Sequence, residues 1–477
     1  LDEAIACFQK AVSLKPDYAE AHSNMGLTLK YQGRLDEAVA SYRQTLSLKP
    51  DFPHAHYNLG SALHEMGMLD EAIAGYHEAL LLKPDYVEAY NNLGQAFMDQ
   101  DKLDEALVCF QKAVALQPDC AGVFNNMGTI LLRLSKLDEA LACYRKAVFL
   151  EPDYADAHYN LGLLHMRMKD LRSGWEKYEY RWRLQKAAVP KRSFMPLCWQ
   201  GEGLQDKTLL IWGEQGVGDE LRFASFMLDM PRLAGHCVFE CEPRLVTLFA
   251  RSFPAVEVIS RSNPPHLRTT GKDIAVQSPA ASLGRWLRPS LESFPQQNGY
   301  LVADPERVMH WQERIDALGP CLKIGISWRS GLMAGSRART YSQLEQWEPI
   351  FKVPGAIFIN LFYGECREEL AHVEQFFGIK IHRWDDIDLK NHLDEVAALI
   401  TALDLVISSM SAVSEMAGAL GKPVWVMSVK HEDWMDLGTD YMPWHPSMRL
   451  FYREWNEDWT RIIDSVAREL RLESEKR

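Results

Sequence analysis

The stretch Leu209-Leu-Ile-Trp-Gly-Glu-Gln-Gly-Val-Gly-Asp-Glu-Leu-Arg-Phe223 decides how the second part of this chain folds. Its first residues, Leu209–Trp212, form a short apolar run that predicts a buried strand. Gly213, Gly216 and Gly218 then interleave with Glu214, Gln215, Asp219 and Glu220. Apolar residues resume at helical spacing through Leu221, Phe223 and Phe226. A strand that breaks into a Gly-rich turn and opens a helix is how open α/β sheets present polar groups at a crevice. This turn carries carboxylates and no lysine, which suits general-base chemistry better than phosphate binding.

Upstream the pattern is different. Pro-Asp recurs at Pro16, Pro50, Pro84, Pro118 and Pro152, always 34 residues apart, and Leu-Asp-Glu-Ala recurs in phase from Leu1, Leu35, Leu69, Leu103 and Leu137. Gly26, Gly60, Gly94, Gly128 and Gly162 mark a third fixed position. That period, with two amphipathic helices per unit and a proline at the turn, predicts a tetratricopeptide array in which each repeat buries its apolar face on the next. Asn24, Asn58, Asn92, Asn126 and Asn160 share the period. An amide both donates and accepts, so an asparagine ladder suits the backbone of an extended polypeptide; equally, asparagine here binds nothing and is common at this helix position.

With 477 residues the chain predicts about three domains. A formal charge of −13 argues against a nucleic-acid binder, which needs a basic face. No run approaches the ~18 apolar residues of a membrane span. Nine cysteines, an odd number scattered through apolar positions such as Cys7, Cys109 and Cys143, predict reduced thiols and a cytoplasmic protein. Cys237 and Cys241 have metal-like spacing but no partner pair, so no metal site is expected. The chain opens at Leu1 inside a repeat unit, so the natural protein is expected to extend upstream.

The array is expected over residues 1–170. Residues 171–204 follow as an atypical cap that docks through Trp175, Tyr178 and Trp182, with a Pro-containing linker over Lys186–Leu204. Beyond it, strand-like runs at Thr208–Trp212, Cys237–Cys241 and Val256–Ile259 alternate with helical stretches at Asp219–Met230 and Pro243–Arg251. Further strands are expected at Leu322–Trp328, Ala356–Leu361, Ile379–His382, Leu405–Ser408 and Val424–Met427. This alternation predicts parallel sheets covered by helices, in two units with a ligand cleft between them, over residues 205–305 and 306–477.

The stretches Gly213–Glu220, Gly325–Gly331, Asp404–Ser408, Ala417–Trp425 and Pro443–Phe451 resemble bacterial tetratricopeptide-linked glycosyltransferases whose catalytic part is similar to glycosyltransferase family 9, the heptosyltransferase-like group. The resemblance runs from about Trp175 to Leu472. It implies an α-solenoid followed by a GT-B fold: two Rossmann-like lobes with parallel sheets, acceptor-side first and donor-binding second, and a C-terminal helix crossing back. It also implies that Asp219, in the Gly-Asp pair, is the base that deprotonates the acceptor, with Glu214 and Glu220 in reserve. The repeats resemble the superhelix of O-linked N-acetylglucosamine transferase, where an asparagine ladder holds protein substrates.

For the donor phosphates, the strand-to-helix turn Ser409-Met-Ser-Ala-Val-Ser414 offers free backbone N–H groups and a helix dipole, bringing in Ser409, Ser411, Ala412, Val413 and Ser414. The family pattern there is closer to Asp-Thr-Gly-Leu-Ser-His, so Met410, Ala412 and Glu415 depart from it, and Glu415 is expected to repel a diphosphate unless turned away. Arg329, Ser330 and Gly331 form a second anion site, with Arg337 and Arg339 in the next loop. Asp386 and Asp388 have Asp-x-Asp spacing but are expected in a loop. His431, Trp434 and Trp444 are candidates for a sugar or base pocket, against core packing for at least one. Together these imply a metal-independent transferase without a cofactor, moving sugar from a nucleotide-sugar to Ser or Thr of a protein held by the repeats. Flagellin modified with a nonulosonic acid such as pseudaminic acid is the analogy offered by similar enzymes. A non-catalytic adaptor with a decayed transferase half, and a transferase acting on a surface glycan, remain the alternatives.

Overall fold

The computed structural model describes residues 1–184, 192, 194, 196–214, 216–331, 340–431 and 433–476. It divides into two compact units, Leu1–Leu161 and Gly162–Arg477.

In the first unit, helix Ala19–Tyr31 pairs with Leu35–Leu48, Pro53–Glu65 with Leu69–Leu82, Val87–Asp99 with Leu103–Leu116, and Ala121–Arg133 with Leu137–Leu150. The periodic glycine explains the closeness of each pair. A Cβ on Gly26 would lie 2.8 Å from the Tyr42 ring, one on Gly94 2.8 Å from Phe110, and one on Gly128 2.7 Å from Tyr144. Each first helix therefore lacks a side chain where the second helix inserts an aromatic. Those rings, Tyr42, Tyr76, Phe110 and Tyr144, are buried at the centre of the repeats.

The second unit opens with the cap helix Leu171–Tyr178 and a single-turn extension, Glu179–Arg183. Trp175 is 1% exposed, and its indole N–H donates to the Arg288 carbonyl at 2.9 Å. Tyr178 and Trp175 both pack on Trp434, and Trp182 packs on Trp212. The three aromatic residues expected to dock the cap do so. Of the linker, residues 186–191, 193 and 195 lie outside the described residues; Phe194 packs on Trp212, 5.6 Å between ring centroids.

Strands β1 (Leu197–Cys198), β2 (Leu204–Trp212), β3 (Ala234–Cys241), β4 (Glu257–Ser260) and β5 (Ile274–Pro279) form one sheet, in the order β1-β5-β2-β3-β4. Strands β6 (Leu322–Ser327), β7 (Ala356–Asn360), β8 (Ile381–His382), β9 (Leu405–Ser409), β10 (Val424–Val429) and β11 (Met448–Arg453) form the second, ordered β11-β10-β9-β6-β7-β8. Every pairing in both sheets is parallel. Strands β6, β9 and β10 are buried along their whole length, as sheets covered on both faces require. Each sheet reverses its winding beside its first long strand. Strand β2 has β3 on one flank and the later β5 on the other, and β6 has β7 on one flank and the later β9 on the other. Loops that leave such strands at their carboxyl ends diverge and open a crevice.

Three strands escaped the sequence patterns: β1, only two residues long; β5, whose run contains Gln277, Ser278 and Pro279; and β11, an edge strand whose run Met448–Arg453 carries Arg449 and Arg453. One expectation is corrected. The C-terminal helix, Thr460–Ser474, does not cross back to the first lobe. Its buried face (Ile462, Ile463, Val466, Ala467, Leu470) joins the core of the second lobe with Leu322, Phe351 and Phe358. Burial next to its own sheet is the nearest cover for a strongly amphipathic helix. The crossing segment is instead Gly299–Leu301. The Tyr300 and Leu301 amides donate to the Ala419 carbonyl at 2.7 and 2.9 Å, and the Tyr300 hydroxyl donates to the Leu221 carbonyl at 2.7 Å.

Candidate functional site

The loops leaving β2, β6 and β9 meet around one cavity of about 400 Å³. Gly216, Gly218 and Asp219 line it from the first lobe, and Ser330, Met410, Ser411, Ala412, Val413 and Glu415 from the second. Asp219 lies in the first turn of helix Val217–Phe223, whose N-cap is Gly216, so it is not the capping residue. Its side chain is 30% exposed, and Arg222 Nη1 lies 3.8 Å away. Burial, with Glu415 and Asp433 nearby, pushes the Asp219 carboxyl up to about 6 against the pull of Arg222. A carboxylate poised there accepts a proton near neutral pH.

Opposite, Ser411 caps helix Ala412–Ala419 in a capping box with Ser414: the Ser411 amide donates to Ser414 Oγ at 2.9 Å. The first-turn N–H groups of Ala412 and Val413 have no intrahelical acceptor and lie at the cavity wall. Ser409 and Ser414 do not line the cavity; both are buried, Ser409 at the end of β9 with its hydroxyl 3.4 Å from the Ser327 carbonyl of the neighbouring β6.

Several expected site residues are placed elsewhere. Glu214 is buried away from the cavity. It accepts from Arg181 Nε at 2.9 Å and the Ala281 amide at 2.8 Å, so it pins the cap onto the first lobe. Glu220 is likewise turned inward, with Arg261 at 2.8 Å and the Glu242 amide at 2.6 Å; burial pushes it up to about 7. Arg329 does not reach the cavity: it pairs with Glu369 at 2.9 Å and lies over the Phe362 ring. Gly331 donates its amide to the Tyr363 hydroxyl at 3.2 Å. Arg337 and Arg339 lie outside the described residues. Trp434 packs in the cap, and Trp444 packs against Phe223, Phe226 and Phe294; neither lines the cavity. His431 is half-buried, and burial pushes its imidazole down to about 4. Asp386 pairs with Arg314 and Asp388 with Asn391, in the loop before helix Leu393–Ala402. Among the described residues there is no group of three or more His, Cys, Asp or Glu able to hold a metal. Also among them, no helix is long and apolar enough to cross a membrane.

Sequence patterns missed Arg222, Arg244, Tyr341, Tyr363 and Lys390, which also line the cavity. Arg244 and Lys390 come from different lobes, and Arg244 donates to the Lys390 carbonyl at 2.8 Å. No motif marks them, because solvated loop cations look the same in sequence. Arg222 was legible only as a polar residue on the predicted helix, yet it meets Glu415 in the second lobe through Nε at 3.0 Å.

Within the repeat unit the asparagine ladder has an internal use. Asn92 Nδ2 donates to the Tyr57 hydroxyl at 3.0 Å, Asn126 Nδ2 to Asn91 Oδ1 at 3.1 Å, and Asn160 Nδ2 to Asn125 Oδ1 at 2.9 Å. Each bond joins one repeat to the one before. Asn24 is exposed and Asn58 half-buried.

The fold and site define a tetratricopeptide-repeat protein continued by two parallel-sheet α/β lobes that share a cavity. Family models described as "TPR repeat" match residues 1–31, 28–67, 60–101 and 128–169, and one described as "Tetratricopeptide repeat" matches 87–120. Among curated proteins, the chain is similar to Protein FlbA of Caulobacter vibrioides, at 38% identity over 316 residues. The match covers 62% of this chain and 52% of that protein, so the chain spans about half the length of its relative. A match of that length exceeds the repeats and reaches into the α/β lobes. Among solved structures, YrrB, "a TPR protein with an unusual peptide-binding site", is 25% identical, covering 36% of this chain and 89% of that one with a TM-score of 0.31. The thermophilic TPR protein TTC0263 of Thermus thermophilus is 23% identical, covering 34% and 88%, with a TM-score of 0.31.

Proposed function

We propose that the chain is a glycosyltransferase that moves a sugar from a nucleotide-sugar bound in the inter-lobe cavity to a hydroxyl of a protein acceptor. One observation carries this: Asp219 faces the Ser411–Val413 turn across a single cavity at the carboxyl ends of both sheets. The acceptor hydroxyl gives its proton to Asp219 as its oxygen bonds to the anomeric carbon. The bond from that carbon to the donor phosphate breaks, and its electron pair leaves with the phosphate. The amides of Ala412 and Val413 receive that charge, and no step draws on a metal. The repeats present the protein, with flagellin the acceptor to try first.

Calorimetry against UDP-, GDP-, ADP- and CMP-nucleotides tests the donor site; failure of all four to bind excludes it. With the matching sugar donor, Asp219→Asn loses transfer by about 10²–10⁴-fold while nucleotide affinity holds; full activity in that variant removes Asp219 as the base. The adaptor alternative is favoured by the engagement of Arg329 with Glu369 and by Met410 and Ala412, which bring no donor side chain to the cavity. The same titration separates the two.

A further inference from the structure

Helix Val217–Phe223 sets Asp219 and Arg222 one turn apart, and helix Ala412–Ala419 sets Glu415 against both. The Arg222 and Glu415 side chains are 5% and 2% exposed. Arg222 Nε donates to Glu415 Oε2 at 3.0 Å and Nη2 donates to Oε1, a two-point fork. The same guanidinium is 3.8 Å from Asp219 and 3.8 Å from Asp433. Three carboxylates therefore compete for one cation, and Glu415 holds it because it alone meets it edge to edge. His445 Nε2, at 2.8 Å from Oε2, keeps Glu415 in place. The imidazole is itself confined, stacked on Tyr300 and so close to Gly418 that a Cβ there would lie 2.6 Å from the ring.

We propose that Glu415 is a positioning residue for Asp219: by holding Arg222 in a two-point pair it keeps the guanidinium off the carboxylate that faces the cavity. This rests on the transfer reaction above, with Asp219 as its base. A carboxylate paired directly with arginine is a weaker base by about one to three pH units. The departure at Glu415 thus has a use. Its charge is turned toward Arg222 and His445 rather than toward a diphosphate. The charged groups around Asp219 are Arg222 on its own helix, Glu415 on the facing helix and Asp433 on the loop before Trp434, with Arg244 and Lys390 on the cavity wall.

Asp219 can be titrated without any substrate, by labelling aspartate Cγ with ¹³C and assigning its signal by its absence in Asp219→Asn. Glu415→Gln keeps the volume and removes the charge. Arg222 then turns to Asp219, and the midpoint falls by about one pH unit or more. Arg222→Gln moves it the opposite way, and the double variant, which removes both charges of the bridge, titrates above Glu415→Gln; should Glu415→Gln fail to fold, the double variant is read against the wild type, at or above whose midpoint it titrates. An unmoved midpoint in Glu415→Gln, or a shift of the same sign in Glu415→Gln and Arg222→Gln, overturns the proposal. Once a donor is known, the acid limb of the pH–rate profile follows the same order. If the midpoints move as stated but no nucleotide binds the wild type, the positioning stands and the transfer reaction falls.

Discussion

Glu415 shows how a single residue changes meaning once its neighbours are known. Burial alone would raise its carboxyl, but Arg222 and His445 hold it down at about 2. The stabilisation it supplies is present above its ordinary 4.5 and is lost as pH falls through about 2. Asp219 works in the opposite sense. Its raised carboxyl favours the fold below 3.8, and that contribution is lost as pH rises through about 6. Glu415→Ala leaves Arg222 as a buried cation with only its two 3.8 Å neighbours, so it lowers stability by about 3 kcal/mol at pH 7, the lower end for a broken buried pair. Chemical denaturation at pH 7 and pH 3 checks this, with a smaller loss at pH 3, where the Glu415 contribution has begun to fade.

At the scale of the element, the repeat glycines are decided by what the partner helix inserts. A methyl group on Gly94 meets the buried Phe110 ring at 2.8 Å, so Gly94→Ala destabilises the array by about 1–3 kcal/mol even though alanine is the better helix former. Gly122 is the contrast. It too lies in a first helix, but its nearest neighbour is the Tyr154 hydroxyl at 3.9 Å. Gly122→Ala is expected to stabilise by a few tenths to about 1 kcal/mol. Opposite signs in parallel thermal melts would show that contact, not helix propensity, governs the repeat glycine. The strands obey the same logic. The fully buried, mostly apolar β6, β9 and β10 were readable, while β1, β5 and β11 were not, since a short, polar or edge strand carries little period to read.

At the scale of the molecule, the chain is built as two compact units. The amides of Asn92, Asn126 and Asn160 join successive repeats. Replacing all three with alanine therefore costs the array about 1.5–4.5 kcal/mol in total, at about 0.5–1.5 per hydrogen bond. Under the proposed function, the triple variant also weakens capture of the acceptor protein while nucleotide binding is unchanged. Calorimetry with nucleotide alongside acceptor pull-down distinguishes these effects, and equal loss of both would contradict separate duties for the two units.

Periodicity by itself determined the repeat array, its helix pairs, the parallel α/β character of the remainder and the strand-turn-helix that presents Asp219. These are properties of local pattern, written in spacings of 34 residues, of helical turns and of short apolar runs. Only the tertiary structure decided which polar groups share the cavity. It kept Asp219, Ser330 and Ser411–Val413, buried Glu214 under the cap, and drew Arg329 to Glu369. It also turned Glu415 from a mismatched residue into the partner of Arg222, a residue 193 positions away in the chain. The physical reason is that a charge's role is set by what lies within a few ångströms of it, and chain spacing carries no record of that distance.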